Sequence, residues 1–250
     1  MKSAQLFEGE KELRISAYTD ASPGIQIGRQ FMVESCFNDY TYNFSWMGLP
    51  IIQFPQDIVM MQEIIFKIRP DLIIETGIAR GGSLVFYASM LELLGKGKVL
   101  GVDVEIREEN REAIENHPMF KRITLVEGSS TDSSTLTELS THLDDAKVVL
   151  VCLDSKHTHA HVLAELNSYC PFVSVDSYLV IFDTTVETFD KQIVDKLANN
   201  YRFKPWGKGS NPSTAVKEFL LSHSEFEVEN RWHYKSMITN CWEGVLRRTR

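Results

Sequence analysis

The sequence predicts an α/β protein with a Rossmann-like, doubly wound and mostly parallel sheet. From Pro70 onward, short apolar segments alternate with segments of helical periodicity. The apolar segments are nearly continuous, as expected of strands that are covered on both faces. Five of them end in an acidic residue, and acids along one edge of such a sheet favour a ligand site there. These residues are Glu75, Asp103, Glu127, Asp154 and Asp183.

The first 55 residues predict an irregular N-terminal arm with one short helix at most. They lack sustained periodicity and are rich in aromatic and polar residues. We expect residues 1–55 to line a substrate pocket or to contact another subunit, and residues 56–250 to form the main domain. That domain opens with a helix that Pro70 ends. Its apolar face consists of Ile58, Met61, Ile64, Ile65 and Ile68.

The main sheet is predicted to contain five parallel strands and an antiparallel C-terminal edge. Helices connect the strands, and further helices are expected around residues 194–197 and 213–220. The last apolar segments fit an antiparallel pair. The parallel strands are predicted over residues 72–74, 99–102, 123–126, 148–153 and 178–182, and the antiparallel pair over 226–228 and 235–246.

Composition and charge exclude several classes of protein. The chain has 250 residues, of which 43% are hydrophobic, and a formal net charge of −8. Because nucleic-acid affinity comes largely from Lys and Arg, a strongly basic nucleic-acid binder is excluded. No segment approaches the about 18 uninterrupted apolar residues of a membrane span, and residues 1–14 lack the apolar centre of a signal peptide. The four cysteines have no zinc-binding spacing. Together, these observations predict a cytoplasmic protein without a membrane or nucleic-acid partner.

A glycine-containing loop follows the first predicted parallel strand. Gly77, Gly81 and Gly82 would let the backbone pass close to a ligand before a helix begins near Ser83. The spacing differs from the G-x-G-x-x-G of dinucleotide sites, and a tight strand–helix turn is the alternative. Asp103 ends the next strand, where a carboxylate can accept hydrogen bonds from both hydroxyls of a ribose, although a helix cap is equally compatible.

A series of short motifs spans most of the chain. They are Glu75-Thr76-Gly77, Gly81-Gly82-Ser83, Gly101-Val102-Asp103, Glu127-Gly128-Ser129-Ser130 and Leu153-Asp154-Ser155-Lys156-His157. In this order they resemble the class I S-adenosylmethionine (SAM)-dependent methyltransferases. More narrowly, the chain from about Tyr42 to Leu246 resembles the cephalosporin hydroxylase family, whose members are methyltransferase-like.

The resemblance implies that residues 56–250 form a SAM-binding methyltransferase domain. Glu75 and Gly77 would lie along the methionine portion of the cofactor, Asp103 would hold the ribose, and Ser130 and Asp132 would lie beside the adenine. The complete set of implied cofactor contacts is Glu75, Thr76, Gly77, Gly81, Ser83, Asp103, Ser130, Asp132 and Asp154.

Two carboxylates predict a metal site. Asp154 and Asp183 follow the fourth and fifth parallel strands, whose ends are adjacent in this fold, and oxygen ligands without thiolates favour Mg²⁺. The order resembles the metal site of catechol-type O-methyltransferases, which implies a neutral ligand after Asp183; here that residue is Thr184. Some cephalosporin hydroxylase relatives carry a carboxylate before this aspartate, where this chain has Phe182, and the third ligand is left open.

A base is predicted next to the metal site. Methyl transfer to a hydroxyl requires removal of its proton, which a metal and a nearby base promote. His157 lies three residues after Asp154, where the catechol-type enzymes carry a catalytic lysine, and Lys156 is the competing candidate. His157, His159 and His161 could instead form a three-histidine metal cluster, but this segment is predicted to begin a helix.

These features predict a SAM-dependent, Mg²⁺-assisted O-methyltransferase that acts on a hydroxyl of a sugar or secondary metabolite. We expect a small-molecule acceptor and a homo-oligomer. Two alternatives stay open. The first is a pathway component similar to the cephalosporin hydroxylases that contributes to hydroxylation or methoxylation. The second is a cofactor-binding partner subunit without catalytic activity.

Overall fold

The computed structural model describes residues 3–143, 146–200 and 206–250. The N-terminal part contains α1 (Ala4–Ser16), α2 (Pro23–Phe37), the short strands β1 (Ser45–Trp46) and β2 (Leu49–Pro50), and α3 (Pro55–Ile68). The following elements are β3 (Leu72–Thr76), α4 (Gly82–Leu94), β4 (Lys98–Asp103), α5 (Glu108–Glu115), β5 (Ile123–Glu127), α6 (Ser133–Ser140), β6 (Val149–Leu153), α7 (His159–Tyr169), β7 (Tyr178–Ile181), α8 (Lys191–Asn200), α9 (Pro212–Leu220), β8 (Phe226–Val228), α10 (Arg231–Ser236) and β9 (Val245–Arg248).

The predicted sheet is confirmed. Within the described residues, seven strands form one sheet in the order β5-β4-β3-β6-β7-β9-β8. The first five of these are parallel, whereas β9 and β8 form an antiparallel edge. The chain runs outward from β3 to β5 and then returns to the other side of β3 with β6. The topological switch point of the sheet therefore lies between β3 and β6, where open α/β sheets bind ligands.

Helices cover both faces of the sheet. Ile73 of β3 packs in a cluster that includes Leu84 and Ala88 of α4 and Ile64 of α3. Neighbouring strand residues point to the opposite face, where Ile74 belongs to a cluster with Leu166 of α7. This double coverage explains the nearly continuous apolar strands. None of the helices in the described ranges is long and apolar enough to cross a membrane.

The N-terminal part differs from the irregular arm that was predicted, because it contains two long helices. In α1 only Ile15 is buried, so its sequence has no continuous apolar face. In α2 the buried positions include Gly28 and Ser35, so the buried face is only partly apolar in sequence. Met32 of α2 packs in a cluster with apolar residues from two places, the segment directly after β7 and α8. The boundary at residue 55 and the role of this part in oligomer formation stay predictions.

The predicted strand over residues 235–246 is wrong for most of its length. The structure has α10 up to Ser236 and begins β9 only at Val245. Met237 and Glu243 have φ angles of +59° and +57°, which an extended strand does not allow. The segment between them leaves the sheet and carries Asn240 to the cleft described below.

Substitution of two helical glycines tests how closely α2 packs on this segment. A Cβ on Gly28 would lie 2.6 Å from the carbonyl oxygen of Met237, whereas a Cβ on Gly9 of α1 would have nothing within 4 Å. We expect Gly28→Ala to lower the free energy of unfolding by about 1–3 kcal/mol. Gly9→Ala should raise it by about 0.5–1 kcal/mol, because alanine loses less backbone entropy in a helix. Urea unfolding of both variants checks this, and equal stabilisation by both would contradict the close packing.

Candidate active site

A cleft of about 430 Å³ lies at the carboxyl ends of the parallel strands. Residues from the ends of β3, β4, β6 and β7 line it, together with residues of the N-terminal part. Of the residues predicted from sequence, those that line the cleft are Gly77, Asp103, Asp154, His157 and Asp183. The register of the sheet brings them together, because Thr76 of β3 pairs with both Val102 of β4 and Leu153 of β6.

The loop after β3 passes directly over the end of β6. Gly77 has a φ of +80°, and a Cβ at this position would lie 2.2 Å from the carbonyl oxygen of Asp154. Only glycine fits both the backbone conformation and this contact. Gly81, the residue before α4, also has a positive φ of +81°. These two glycines therefore allow the loop between β3 and α4 to lie against the cleft.

Asp103 holds this loop from the side of β4. Its Oδ2 accepts hydrogen bonds from the backbone N–H of Ile78 (2.9 Å) and of Ala79 (3.4 Å). Since the protein's own carboxylate accepts from these two amides, they do not form the phosphate-binding turn of a dinucleotide site. Oδ1 accepts one hydrogen bond, from the backbone N–H of Glu105 at 3.3 Å, so it keeps a further lone pair, and Asp103 lines the cleft. The arrangement is compatible with a ribose that carries no adjacent phosphate.

Glu75 is a fully buried carboxyl group beneath the loop. Its Oε2 accepts a hydrogen bond of 2.6 Å from the Ser83 hydroxyl at the start of α4. Among the described residues, its Oε1 has no hydrogen-bond partner, and the buried hydroxyl of Thr76 also lacks one. Burial raises the pKa of Glu75 to about 8. A buried acid with an unpaired oxygen is suited to a positively charged ligand group.

Asp154, His157 and Asp183 form the acidic centre of the cleft. One potential ligand atom from each lies within 4.8 Å of the others, and His157 Nε2 is 3.0 Å from Asp183 Oδ2. Burial, followed by the charges of Asp183 and Glu75, raises the pKa of Asp154 well above its usual range. Two carboxylates that repel each other at this distance are stabilised by a cation between them, so the donor set fits a hard divalent ion.

The remaining predicted residues lie outside the lining of the cleft. Ser130 is buried, with its hydroxyl 3.2 Å from His161 Nε2, and Asp132 is an exposed residue that precedes α6. Lys156 is exposed. Thr184 is buried and its hydroxyl donates to the carbonyl oxygen of Asn240 (3.3 Å).

The three histidines of this segment do not converge on one point. His159 begins α7 and lies 2.8 Å from the Thr214 hydroxyl and 3.1 Å from Glu218 of α9. His161 instead lies beside Ser155, at 3.1 Å. Only His157 reaches the cleft, so the geometry favours the helix start with one histidine at the site over a three-histidine cluster.

Two residues at the site were not predicted from sequence. Asn240 lines the cleft and its side-chain amide donates to Asp183 Oδ1. Asp57 of α3 is fully buried and accepts a hydrogen bond from the Asn240 backbone N–H at 2.8 Å. The sequence signals were weak, because Asp57 resembles an ordinary acid in the first turn of a helix and Asn240 falls within a predicted strand.

Comparison with solved structures defines the class of fold. A CmcI chain in its ligand-free form is 20% identical, with a TM-score of 0.56, and the match covers 84% of this chain and 77% of that chain. The Mg-SAM form of CmcI gives a TM-score of 0.55 at 19% identity, over 84% and 78% of the two chains. MycE, a methyltransferase of the mycinamycin biosynthetic pathway, has a TM-score of 0.51 at 15% identity, over 88% and 55% of the two chains. The chain therefore has a Rossmann-like methyltransferase fold.

Sequence comparison then identifies the family. The family described as Rhamnosyl O-methyltransferase/CmcI matches residues 38–249, and the chain belongs to this family. The resemblance found in the sequence motifs is thereby confirmed. The rhamnosyl O-methyltransferase of Mycobacterium tuberculosis H37Rv is 31% identical over 147 residues, which are 57% of this chain and 57% of that protein. Its Mycobacterium leprae relative is 28% identical over 153 residues, or 60% and 65% of the two chains. The matches thus span less than two thirds of these curated relatives.

The buried position of Glu75 predicts a distinct pH dependence of stability. Its folded pKa of about 8 lies above the ordinary value of 4.5, so its contribution to stability is present below about pH 4.5 and is lost as the pH rises towards 8. We expect Glu75→Gln to stabilise the ligand-free protein increasingly from pH 5 to pH 8, by at most about 1.4 kcal/mol per pH unit. Urea unfolding of both proteins measures this. A difference that stays constant over this range would contradict the buried carboxyl group.

Proposed function

We propose that the chain is a SAM-dependent, Mg²⁺-assisted O-methyltransferase that acts on a hydroxyl of a sugar or sugar-bearing small molecule. The observation that carries the proposal is the cluster of Asp154, His157 and Asp183, which shares one cleft with the Gly77 loop and Asp103. Two family relatives are described as rhamnosyl O-methyltransferases. The CmcI and MycE structures are described as containing Mg with SAM or S-adenosylhomocysteine (SAH), which supports the choice of cofactors.

The cofactor would lie along the carboxyl ends of β3 and β4. The unpaired Oε1 of Glu75 would accept a hydrogen bond from the ammonium of the methionine portion, while Ser83 holds the other oxygen. Gly77 allows the cofactor to approach the backbone, and Asp103 would accept from the ribose hydroxyls. Thr76 and Gly81 would contribute to cofactor binding indirectly, by holding the two ends of the loop that contacts the cofactor. Ser130 and Asp132 would lie on the adenine side, an assignment that rests on family resemblance.

Mg²⁺ would be held by the carboxylates of Asp154 and Asp183. A bound Mg²⁺ lowers the pKa of an acceptor hydroxyl and orients it. Thr184 was predicted as a neutral ligand, but its side chain is buried and lies outside the lining of the cleft. The two carboxylates are therefore the ligands that we propose.

His157 is the base that this geometry favours. Its imidazole lies 3.0 Å from Asp183 Oδ2, a contact that orients the ring within the cleft. His157 would take the acceptor proton while the acceptor oxygen attacks the methyl carbon, and the carbon–sulfur bond would break to release SAH. Lys156 is exposed and does not line the cleft, which makes it the weaker candidate.

The acceptor would enter from the side of the N-terminal part. Asp39, Thr41 and Tyr42 line this side of the cleft and offer a carboxylate and two hydroxyls. Several closely spaced hydrogen-bonding groups suit the hydroxyls of a sugar, whereas a purely apolar wall would not. This position favours a role in substrate binding for residues 1–55.

Removal of the metal or of a metal ligand should abolish methyl transfer. We expect labelled SAM and a panel of rhamnosides and phenols to give a methylated product that EDTA prevents and added Mg²⁺ restores. Asp154→Asn should lower turnover at least about 100-fold, because the metal stabilises developing charge by several kcal/mol. Asp176→Asn, which removes a surface carboxylate paired with Arg247, is the control and should retain activity. If the acceptors were methylated in EDTA as fast as without it, the metal requirement would be contradicted.

Substitution of His157 should separate catalysis from cofactor binding. Loss of a general base lowers turnover about 10²- to 10⁴-fold, and we expect this from His157→Gln. SAH affinity, measured by calorimetry, should change by less than about twofold, because His157 lies on the acceptor side of the cleft. Lys156→Met is the matched comparison. If it alone lost activity, Lys156 would be the base.

A further inference from the structure

Asp57 is a buried carboxylate that no part of the proposed chemistry uses. It lies in the first turn of α3, is fully shielded from solvent, and forms no ion pair within the described part of the chain. Its Oδ2 accepts from the Asn240 backbone N–H at 2.8 Å, and its Oδ1 accepts from the Thr239 hydroxyl. Burial raises the pKa of Asp57 to about 7, although these two donors counteract the effect. Because a buried carboxyl group is costly without hydrogen-bond partners, Asp57 fixes the positions of the two groups that donate to it.

Asn240 connects Asp57 to the acidic centre. Its side-chain amide donates to Asp183 Oδ1. Its carbonyl oxygen accepts from the Thr184 hydroxyl and from the Thr185 N–H, both at 3.3 Å. Through one residue, the turn after β7 is therefore attached to the start of α3. Asp183 itself has a φ of +57°, a conformation that a non-glycine residue adopts only where its surroundings hold it.

We propose that Asp57 is a positioning residue for the metal-binding carboxylate Asp183 and acts on it through Asn240. The proposal rests on the proposed function and extends it. Because the Asn240 amide occupies Oδ1 of Asp183, the carboxylate is turned so that Oδ2 faces His157 and the cation site. Asp154 and Asp183 are the two carboxylates of the proposed metal site, so the orientation of Asp183 is expected to affect metal affinity.

The competing explanation is that Asp57 only joins α3 to the C-terminal segment. A second contact between the same two regions provides the control, because Glu63 of α3 forms an ion pair with Lys235 of α10. Glu63 and Lys235 both lie outside the lining of the cleft. Glu63→Gln therefore weakens the junction between the two regions without changing the hydrogen bonds of Asn240.

Metal affinity measured without turnover tests the proposal. Mn²⁺ would be titrated into the full chain and followed by electron paramagnetic resonance, with SAH affinity measured separately in the absence of metal. We expect Asp57→Asn and Asn240→Ala to weaken Mn²⁺ binding about 10- to 100-fold, the usual effect of losing a residue that orients a ligand. Their SAH affinity should stay within about twofold of the parent, since the Gly77 loop and Glu75 are unchanged. Glu63→Gln should leave both affinities unchanged.

The outcomes separate this proposal from the proposed function. If the parent binds Mn²⁺ no better than Asp154→Asn does, the metal site itself is overturned, and the positioning role with it. If Asp154→Asn abolishes binding but folded Asp57→Asn binds Mn²⁺ like the parent, only the positioning role is overturned. Equal weakening by Glu63→Gln would mean that Asp57 acts as a structural link. Should Asp57→Asn fail to fold, Thr239→Val removes one donor to the same carboxylate, and unchanged Mn²⁺ affinity in that variant would overturn the proposal.

Discussion

The cleft depends on the parallel register that β3 shares with both of its neighbours. Glu75 lies opposite Gly101 of β4 and Cys152 of β6, so the three strands end at the same level. Only at this register does the Gly77 loop meet the Asp154 carbonyl so closely that no side chain fits between them. A shift by one residue would exchange the two faces of a strand and move the acids at its end. The same hydrogen bonds that form the sheet thus place the loop, Asp103 and Asp154 around one opening.

This register also gathers carboxyl groups at the switch point of the sheet. Burial raises the pKa of Glu75 and of Asp57, and burial together with Asp183 raises that of Asp154. Among the described residues, the basic side chain that forms an ion pair within this group of acids is His157, which contacts Asp183. A site with so few cations of its own favours ligands that bring positive charge. The sulfonium and ammonium of SAM and a divalent metal ion both meet this requirement.

The sequence predicts the part of the site that short segments of chain determine. A continuous apolar strand followed by glycines or an acid predicts both the strand and the cleft-lining residue at its end, as at Gly77, Asp103 and Asp154. Prediction was weaker where burial does not follow the apolar pattern. The buried face of α2 includes Gly28 and Ser35, and the segment around Asn240 has a strand-like sequence but contains residues with positive φ. These conformations depend on contacts with distant parts of the chain, which a local pattern cannot contain.

The same distinction divides the cleft into two halves with different origins. The proposed cofactor half comes from consecutive strand–loop–helix units between β3 and β6, so its geometry follows from local chain direction and sheet register. The proposed acceptor half combines Asp39, Thr41 and Tyr42 with the turn at Asp183 and the segment around Asn240. Asn240 joins these last two to each other. Asp57 of α3 holds the segment around Asn240 across the chain, through donors that lie 182 and 183 residues away. Changes in the N-terminal part can therefore reshape the acceptor side while the register that holds the cofactor side stays intact, which allows one fold to serve different hydroxyl acceptors.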